Sequence, residues 1–144
     1  MIYKNPPAGF SPRFEIASCY LEHNGQFVLL HRHGNKSQAN KWGVIAGKME
    51  EGENVYDAMA REIKEETSIN IPKEKLKYFT KLYVHHGGYD FVYHIFSNKL
   101  DIRPEIKINE KEHKSFKWVL PEEALRMDLV DDLDECIKLF YNVI

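Results

Sequence analysis

The chain has 144 residues, of which 43% are hydrophobic, and its formal net charge is −2, so we expect a single domain over residues 1–144 with a buried core. The near-neutral charge argues against a basic surface for a nucleic-acid polymer, and no apolar run reaches the length of a membrane span or a signal peptide. Two cysteines far apart in the sequence argue against zinc and a disulfide framework, and together these features indicate a cytoplasmic protein.

The first part of the chain predicts a β-hairpin followed by a loop and a short strand. Residues 14–22 and 26–32 are strand-like, and Asn24-Gly25 between them is a strong turn signal. Residues 33–41 are polar and predict a loop, whereas residues 42–46 are apolar and predict a strand. Cys19 is expected to face the core.

A helix is predicted over residues 54–67, preceded by Gly47 as a turn glycine and by Glu53. Acidic residues near its start suit the helix dipole. The rest of the chain predicts strands at 76–86, 91–98 and 116–120, a hairpin turn at 86–90, a charged connection at 103–114, and helices from Pro121 and over 133–141. Strands interspersed with helices predict an α/β fold with a mixed sheet between helices.

Three glutamates stand on one face of the predicted helix, at positions 62, 65 and 66. Most glutamate clusters on helices are simply solvated, because glutamate forms helices well. Here the acidic arc overlaps the arc of Val55, Ala58 and Met59, whereas a solvated face should oppose the apolar one. Clustered carboxylates suit a hard divalent cation such as Mg²⁺, which prefers oxygen ligands.

The spacing of the segment is more specific than the cluster alone. From Gly47 to Glu66 it reads Gly-x5-Glu-x7-Arg-Glu-aliphatic-x-Glu-Glu. By average residue usage, this pattern has a chance probability on the order of one in a million in a chain of this length. The pattern resembles the signature of the Nudix hydrolases, which continues with x-Gly-aliphatic. That resemblance implies an α/β/α sandwich, with a catalytic helix after a loop, that uses Mg²⁺ or Mn²⁺ to hydrolyse a nucleoside diphosphate linked to another group.

Two positions depart from the family pattern. Relatives often read Pro-Gly-Gly where this chain has Ile45-Ala46-Gly47, and the residue that corresponds to Ala46 often contributes only a backbone carbonyl to the metal. Ser68 replaces the last signature glycine at the helix end, where a left-handed residue is expected; serine there costs about 1 kcal/mol of strain. A small hydroxyl residue at this position resembles the dihydroneopterin triphosphate pyrophosphohydrolases.

The resemblance assigns roles to the signature residues. It implies that Glu62, Glu65 and Glu66 are the metal ligands and that Glu53 and Arg61 form an orienting pair at the catalytic centre. Glu112, six residues before Trp118, matches a further loop glutamate of mutator-type relatives, with Glu110 as the competing candidate. The general base is left open between Glu65 and Glu112. Arg32 matches a substrate-contacting arginine in the same relatives.

The remaining candidates are favoured as ordinary structural residues. His85, His86 and Tyr89 can border a leaving group, but adjacent histidines without a neighbouring carboxylate or cysteine at ligand spacing favour an exposed loop. Trp42 and Trp118 lie in apolar strand contexts, which favours a place in the core over a base-stacking role.

The leading functional hypothesis is a Mg²⁺- or Mn²⁺-dependent hydrolase that converts a nucleoside triphosphate into a monophosphate and pyrophosphate. Dihydroneopterin triphosphate, ADP-ribose, nucleotide sugars and dinucleoside polyphosphates are alternative substrates. A catalytically silent nucleotide-binding module is the alternative of another class. The expected partner is a small-molecule nucleotide, with no nucleic-acid polymer and no membrane, and the expected state is a monomer or homodimer.

Overall fold

A computed structural model describes residues 1–143. The strands are β1 (Ile2–Tyr3), β2 (Pro12–His23), β3 (Gln26–Arg32), β4 (Trp42–Gly43), β5 (Ile45–Lys48), β6 (Lys77–His86), β7 (Tyr89–Lys99) and β8 (His113–Val119). The helices are α1 (Val55–Thr67), α2 (Pro121–Ala124) and α3 (Leu133–Tyr141), and a 3₁₀ turn covers Lys73–Lys75.

The strands form one mixed sheet in the order β1-β6-β7-β2-β3-β4, with β5 added to β2 and β8 added to β3. The long central strands β2 and β7 are parallel, and the other pairs are antiparallel. Because β5 pairs with the middle of β2, at Ile16 to Cys19, the segment that leads into α1 is attached directly to the centre of the sheet.

Each face of the sheet packs against its own helix. Alternate residues of β2 point to opposite faces: Ala17 and Cys19 pack in the cluster with Met59 and Ile63 of α1, whereas Tyr20 packs in a second cluster with α3. These two apolar layers make the fold an α/β/α sandwich with a mixed sheet, as the sequence predicted.

Local signals at both ends of α1 explain its length. Asn54 caps the helix, since its side chain accepts a hydrogen bond from the Tyr56 N–H at 2.8 Å. At the other end Ser68 adopts φ +66°, and its N–H donates to the Lys64 carbonyl. The left-handed end that was predicted for Ser68 is therefore confirmed.

Several element boundaries differ from the predictions because long-range pairing sets them. β8 begins at His113, three residues before the predicted start, since Arg32 of β3 pairs with His113. The β6–β7 turn shortens to Gly87-Gly88 for the same reason, because His86 pairs with Tyr89.

None of the helices in residues 1–143 is long and apolar enough to cross a bilayer.

Candidate active site

A cleft of about 670 Å³ lies beside α3, whose residues Leu133 and Cys136 line it. Its floor is formed by side chains of β2, β6 and β7, and one end meets the acidic face of α1. The residues around it that bear on the chemistry are Phe14, Arg32, Ala46, Gly47, Lys48, Glu62, Glu65, Glu66, His86, Tyr89, Phe91, Glu112, His113 and Asp131. The cleft therefore joins an aromatic surface to a group of carboxylates.

Gly47 places the sheet directly against the carboxyl group of Glu62. A β-carbon at position 47 would lie 2.0 Å from Glu62 Cδ, which is far inside van der Waals contact. Gly47 lies within β5 and is absent from the glycines with positive φ. The sequence interpretation of Gly47 as a turn glycine is thus wrong: the position requires glycine for close approach.

Glu66 is buried beneath the cleft, with 6% of its surface exposed. Burial raises the pKa of its carboxyl group well above the usual value, and the neighbouring carboxylates of Glu62 and Glu112 raise it further, while a hydrogen bond from the Ala46 backbone opposes the shift. Its Oε2 atom has no hydrogen-bond partner. Burial also raises the pKa of Glu62, so the pair disfavours two negative charges unless a cation is added.

Arg61 links the loop before α1 to the acidic face. Its Nε and Nη2 donate to Glu53 Oε2 and Oε1 at 2.8 and 2.9 Å, which is a bidentate pair. Its Nη1 donates to Glu62 Oε1 at 2.8 Å, and its Nη2 to the Lys48 carbonyl at 3.2 Å. Hydrogen bonds from Arg61 lower the pKa of Glu53 to about 2. The predicted pairing of Glu53 with Arg61 is present in the structure.

Glu65 stands at the open edge of the same face. Its side chain is 53% exposed, and Arg61 Nη1 lies 3.3 Å from its Oε2. Within residues 1–143, no three histidine, cysteine, aspartate or glutamate side chains are already gathered at metal-ligand distances. Arg61 Nη1 occupies the space between Glu62 and Glu65. The metal-ligand roles of these glutamates stay a prediction.

The structure separates the two loop glutamates. Glu112 lines the cleft, and its half-exposed side chain forms an ion pair with Lys36 at 3.3 Å. Glu110 lies outside the cleft, and its backbone carbonyl accepts a hydrogen bond from His33 at 2.5 Å. The turn at residues 109–113 therefore directs Glu112, and not Glu110, toward Glu66.

Arg32 ends β3 at the rim of the cleft. Its guanidinium donates to the backbone carbonyl and hydroxyl of Ser37, at 2.7 and 3.2 Å. These bonds hold its charge beside the carboxylates, where it can meet an anionic substrate.

His113 belongs to this site and was not identified from the sequence. It is 7% exposed, its Nε2 lies 3.9 Å from Glu66 Oε1, and its Nδ1 has no hydrogen-bond partner. Burial and the nearby Arg32 lower the pKa of its imidazole to about 4. The sequence places His113 directly after the candidate Glu112, which was the one signal that pointed to it. That position does not reveal that the histidine is buried.

Aromatic side chains form another part of the cleft lining. Phe14 and Phe91 stack with ring centroids 5.3 Å apart and planes within 10°, because β2 and β7 pair at these residues. Tyr89 lies beside them, and the ammonium group of Lys48 is 4.2 Å above the Phe14 ring. The parallel pairing that creates this surface is not readable from local sequence.

His86 and Tyr89 line the cleft and are partly buried, whereas His85 is exposed. His86 bonds Asp131 on the facing wall at 2.9 Å, whereas His85 turns away to Asp90. Trp42 stacks on His31 at 4.2 Å, and Trp118 packs against the core cluster of α1. Neither tryptophan is among the residues that line the cleft.

Comparison with known proteins identifies relatives of this chain in both sequence and structure. The family model described as NUDIX domain matches residues 12–140. Nudix hydrolase 2 of Arabidopsis thaliana is 24% identical over 129 residues, which are 89% of this chain but 46% of that protein. CTP pyrophosphohydrolase of Escherichia coli K12 is 27% identical over 115 residues, covering 80% of this chain and 82% of that one. The crystal structure of the MutT protein from Methanosarcina mazei Go1 superposes with a TM-score of 0.78 at 23% identity, covering 91% and 94% of the two chains.

Proposed function

The chain belongs to the NUDIX family, and we propose that it hydrolyses a nucleoside triphosphate to a monophosphate and pyrophosphate with the help of Mg²⁺ or Mn²⁺. The observation that carries this proposal is the cleft itself, which is lined by carboxylates and an arginine and also by a stacked aromatic pair. The charged groups suit phosphates with cations, and the aromatic rings suit a planar base. The similar E. coli protein is named a CTP pyrophosphohydrolase.

The residues present fit a divalent cation. Glu66 offers a buried carboxylate oxygen that has no partner, and Glu62, Glu65 and Glu112 line the cleft beside it. All these donors are oxygens, the ligand type that Mg²⁺ and Mn²⁺ prefer. We infer that Glu62, Glu65, Glu66 and Glu112 hold the cation, which when bound neutralises charge on the phosphates and increases the acidity of water.

The chain's own residues supply positioning and proton transfer. Arg32 binds the phosphate chain at the rim, and the Glu53–Arg61 pair holds the loop before α1 against the helix. A water molecule attacks phosphorus, the new P–O bond replaces the anhydride bond, and pyrophosphate departs as an oxyanion. A carboxylate must accept the proton from that water. Glu65 and Glu112 are the candidates, because both lie at the open edge of the cleft and are about half exposed.

The aromatic residues support a planar heterocycle without selecting one. Phe14, Phe91 and Tyr89 line the cleft and pack against one another, and a purine, a pyrimidine or a pterin can contact such rings equally well. Ser68, the sequence feature that resembles the pterin enzymes, donates instead to the Lys107 carbonyl at 3.0 Å and is not among the cleft residues. We therefore rank the nucleoside triphosphate above dihydroneopterin triphosphate.

The experiment that tests this proposal is a product analysis. The purified chain with Mg²⁺ is incubated separately with each nucleoside triphosphate, dihydroneopterin triphosphate, ADP-ribose, a nucleotide sugar and a dinucleoside polyphosphate, and products are identified by mass. Release of pyrophosphate from one triphosphate, much faster than cleavage of the others, is the expected result. Cleavage of ADP-ribose alone would overturn the substrate class.

A variant of Glu65 tests the carboxylate at the open edge of the cleft. Glu65→Gln removes a carboxylate from the exposed edge without touching the core, so it should lower turnover by about 100-fold or more, within the range for general base catalysis, while the melting temperature is retained. Silence of the wild type across the whole panel, with nucleotide still bound, would favour the catalytically silent module.

A further inference from the structure

We propose that His113 is a positioning residue, which holds the Glu66 carboxylate for a divalent cation by donating its Nε2–H to Glu66 Oε1. This inference rests on the proposed function, because it assigns a role beside the proposed cation site. The resemblance that identified the signature glutamates does not include His113.

The first support is a pair of incomplete side chains in contact with one another. Glu66 and His113 are each buried, with side chains 8% exposed, and Nε2 lies 3.9 Å from Oε1. Glu66 Oε2 and His113 Nδ1 both lack hydrogen-bond partners. Buried polar atoms are nearly always satisfied, so the unpartnered Oε2 of Glu66 indicates a position that a ligand completes.

The second support is that the two side chains come from different elements and stop just short of a hydrogen bond. Glu66 lies on α1, whereas His113 begins β8. The gap of 3.9 Å exceeds a hydrogen bond, and a shift of roughly 1 Å brings Nε2 within hydrogen-bond range of Oε1. The bond would use one oxygen of Glu66 and leave Oε2 for the cation. Partners that orient a ligating carboxylate in this way tighten metal sites.

The third support is that the backbone fixes His113 independently of Glu66. Its N–H donates to the Asn109 carbonyl at 2.9 Å, and it pairs with Arg32 across the sheet. The backbone of His113 is therefore held by the sheet, while the backbone of Glu66 is held by the helix. A bond between the two side chains would tie these two elements together at the cation site.

The experiment measures Mn²⁺ binding by electron paramagnetic resonance on the full chain without substrate, so that it does not depend on turnover. His113→Leu should weaken Mn²⁺ binding by about 10-fold or more. His113→Gln carries an amide nitrogen near the position of Nε2 and should bind nearly as the wild type does. His113→Asn reaches only the position of Nδ1 and should behave like His113→Leu.

His94→Leu is the matched control for a buried histidine. His94 is also 7% exposed, but it bonds Glu15 and Tyr78 away from the cleft. The His94→Leu substitution should lower the melting temperature and leave Mn²⁺ affinity unchanged.

Wild-type Mn²⁺ affinity in a folded His113→Leu protein would overturn the inference alone. Mn²⁺ affinity that is retained in His113→Asn and lost in His113→Gln would do the same. Failure of the wild type to bind Mn²⁺ would overturn the proposed metal-dependent function together with it.

Discussion

The α-carbon of Gly47 and the carboxyl group of Glu62 are in such close contact that a β-carbon at position 47 would lie 2.0 Å from Glu62 Cδ. That β-carbon would overlap the carboxyl group of Glu62, whose side chain is only 12% exposed and is already bonded to Arg61. Glu62 therefore has little room to move without leaving the cleft.

Gly47→Ala should accordingly damage activity more than stability. A displacement of about 1 Å at a reacting centre costs roughly 100-fold in rate, whereas overpacking costs about 1–3 kcal/mol. Steady-state kinetics and urea denaturation measure the two effects. Gly34→Ala is the control, because its β-carbon would meet only the Asn40 side chain at 3.4 Å; equal activity in the two variants would contradict the close-contact argument.

Glu53→Gln should destabilise the protein in a pH-dependent way. The folded-state pKa of Glu53 is about 2, below the ordinary 4.5, so its contribution is fully present above pH 4.5 and is lost as the pH falls toward 2. At neutral pH the loss should be about 1.5–3 kcal/mol, the range for hydrogen bonds to charged groups. Denaturant unfolding of both proteins across this pH range measures the difference.

Glu50→Gln provides the comparison for Glu53. Glu50 is 71% exposed and lies 3.7 Å from Arg61 Nε, so its loss should cost less than about 1 kcal/mol. A difference between wild type and Glu53→Gln that is constant from neutral pH to pH 2 would refute the assigned cause.

Glu112→Gln should reduce turnover by about 10-fold or more, the lower end for loss of a metal-site contact. Glu110→Gln should leave it near the wild-type value, since only Glu112 lines the cleft. The two positions share one turn, and the melting temperatures of both variants account for the ion pair that Glu112 makes with Lys36. Turnover of both variants is measured at several Mg²⁺ concentrations. A larger loss of turnover in Glu110→Gln than in Glu112→Gln would transfer the role to Glu110.

Ser68→Gly should stabilise the chain by less than about 1 kcal/mol. Glycine relieves the left-handed strain at φ +66°, but it loses the bond from Ser68 Oγ to the Lys107 carbonyl. Ser68→Ala loses that bond but keeps the left-handed backbone strain, so it should destabilise the protein by about 0.5–1.5 kcal/mol. Thermal and chemical unfolding test the order, and kcat should be unchanged in both; a large change in rate would show a role beyond ending the helix.

The order of elements was largely predictable from the sequence, because its signals are local. The Asn24-Gly25 turn and the left-handed Ser68 each depend on a few neighbouring residues, and the structure contains both. The start of β8 at His113 and the pairing of Phe14 with Phe91 depend on strands distant in the chain. No local pattern encodes those partners.

The same division holds for the site. The sequence alone determined the acidic face of α1, because helical spacing places Glu62, Glu65 and Glu66 together wherever the helix forms. Only the tertiary structure decided that Gly47 serves close approach, that Glu112 rather than Glu110 faces the cleft, and that His113 is buried against Glu66. Burial and contact across elements depend on how the sheet and helices pack, and spacing along one chain does not contain that information.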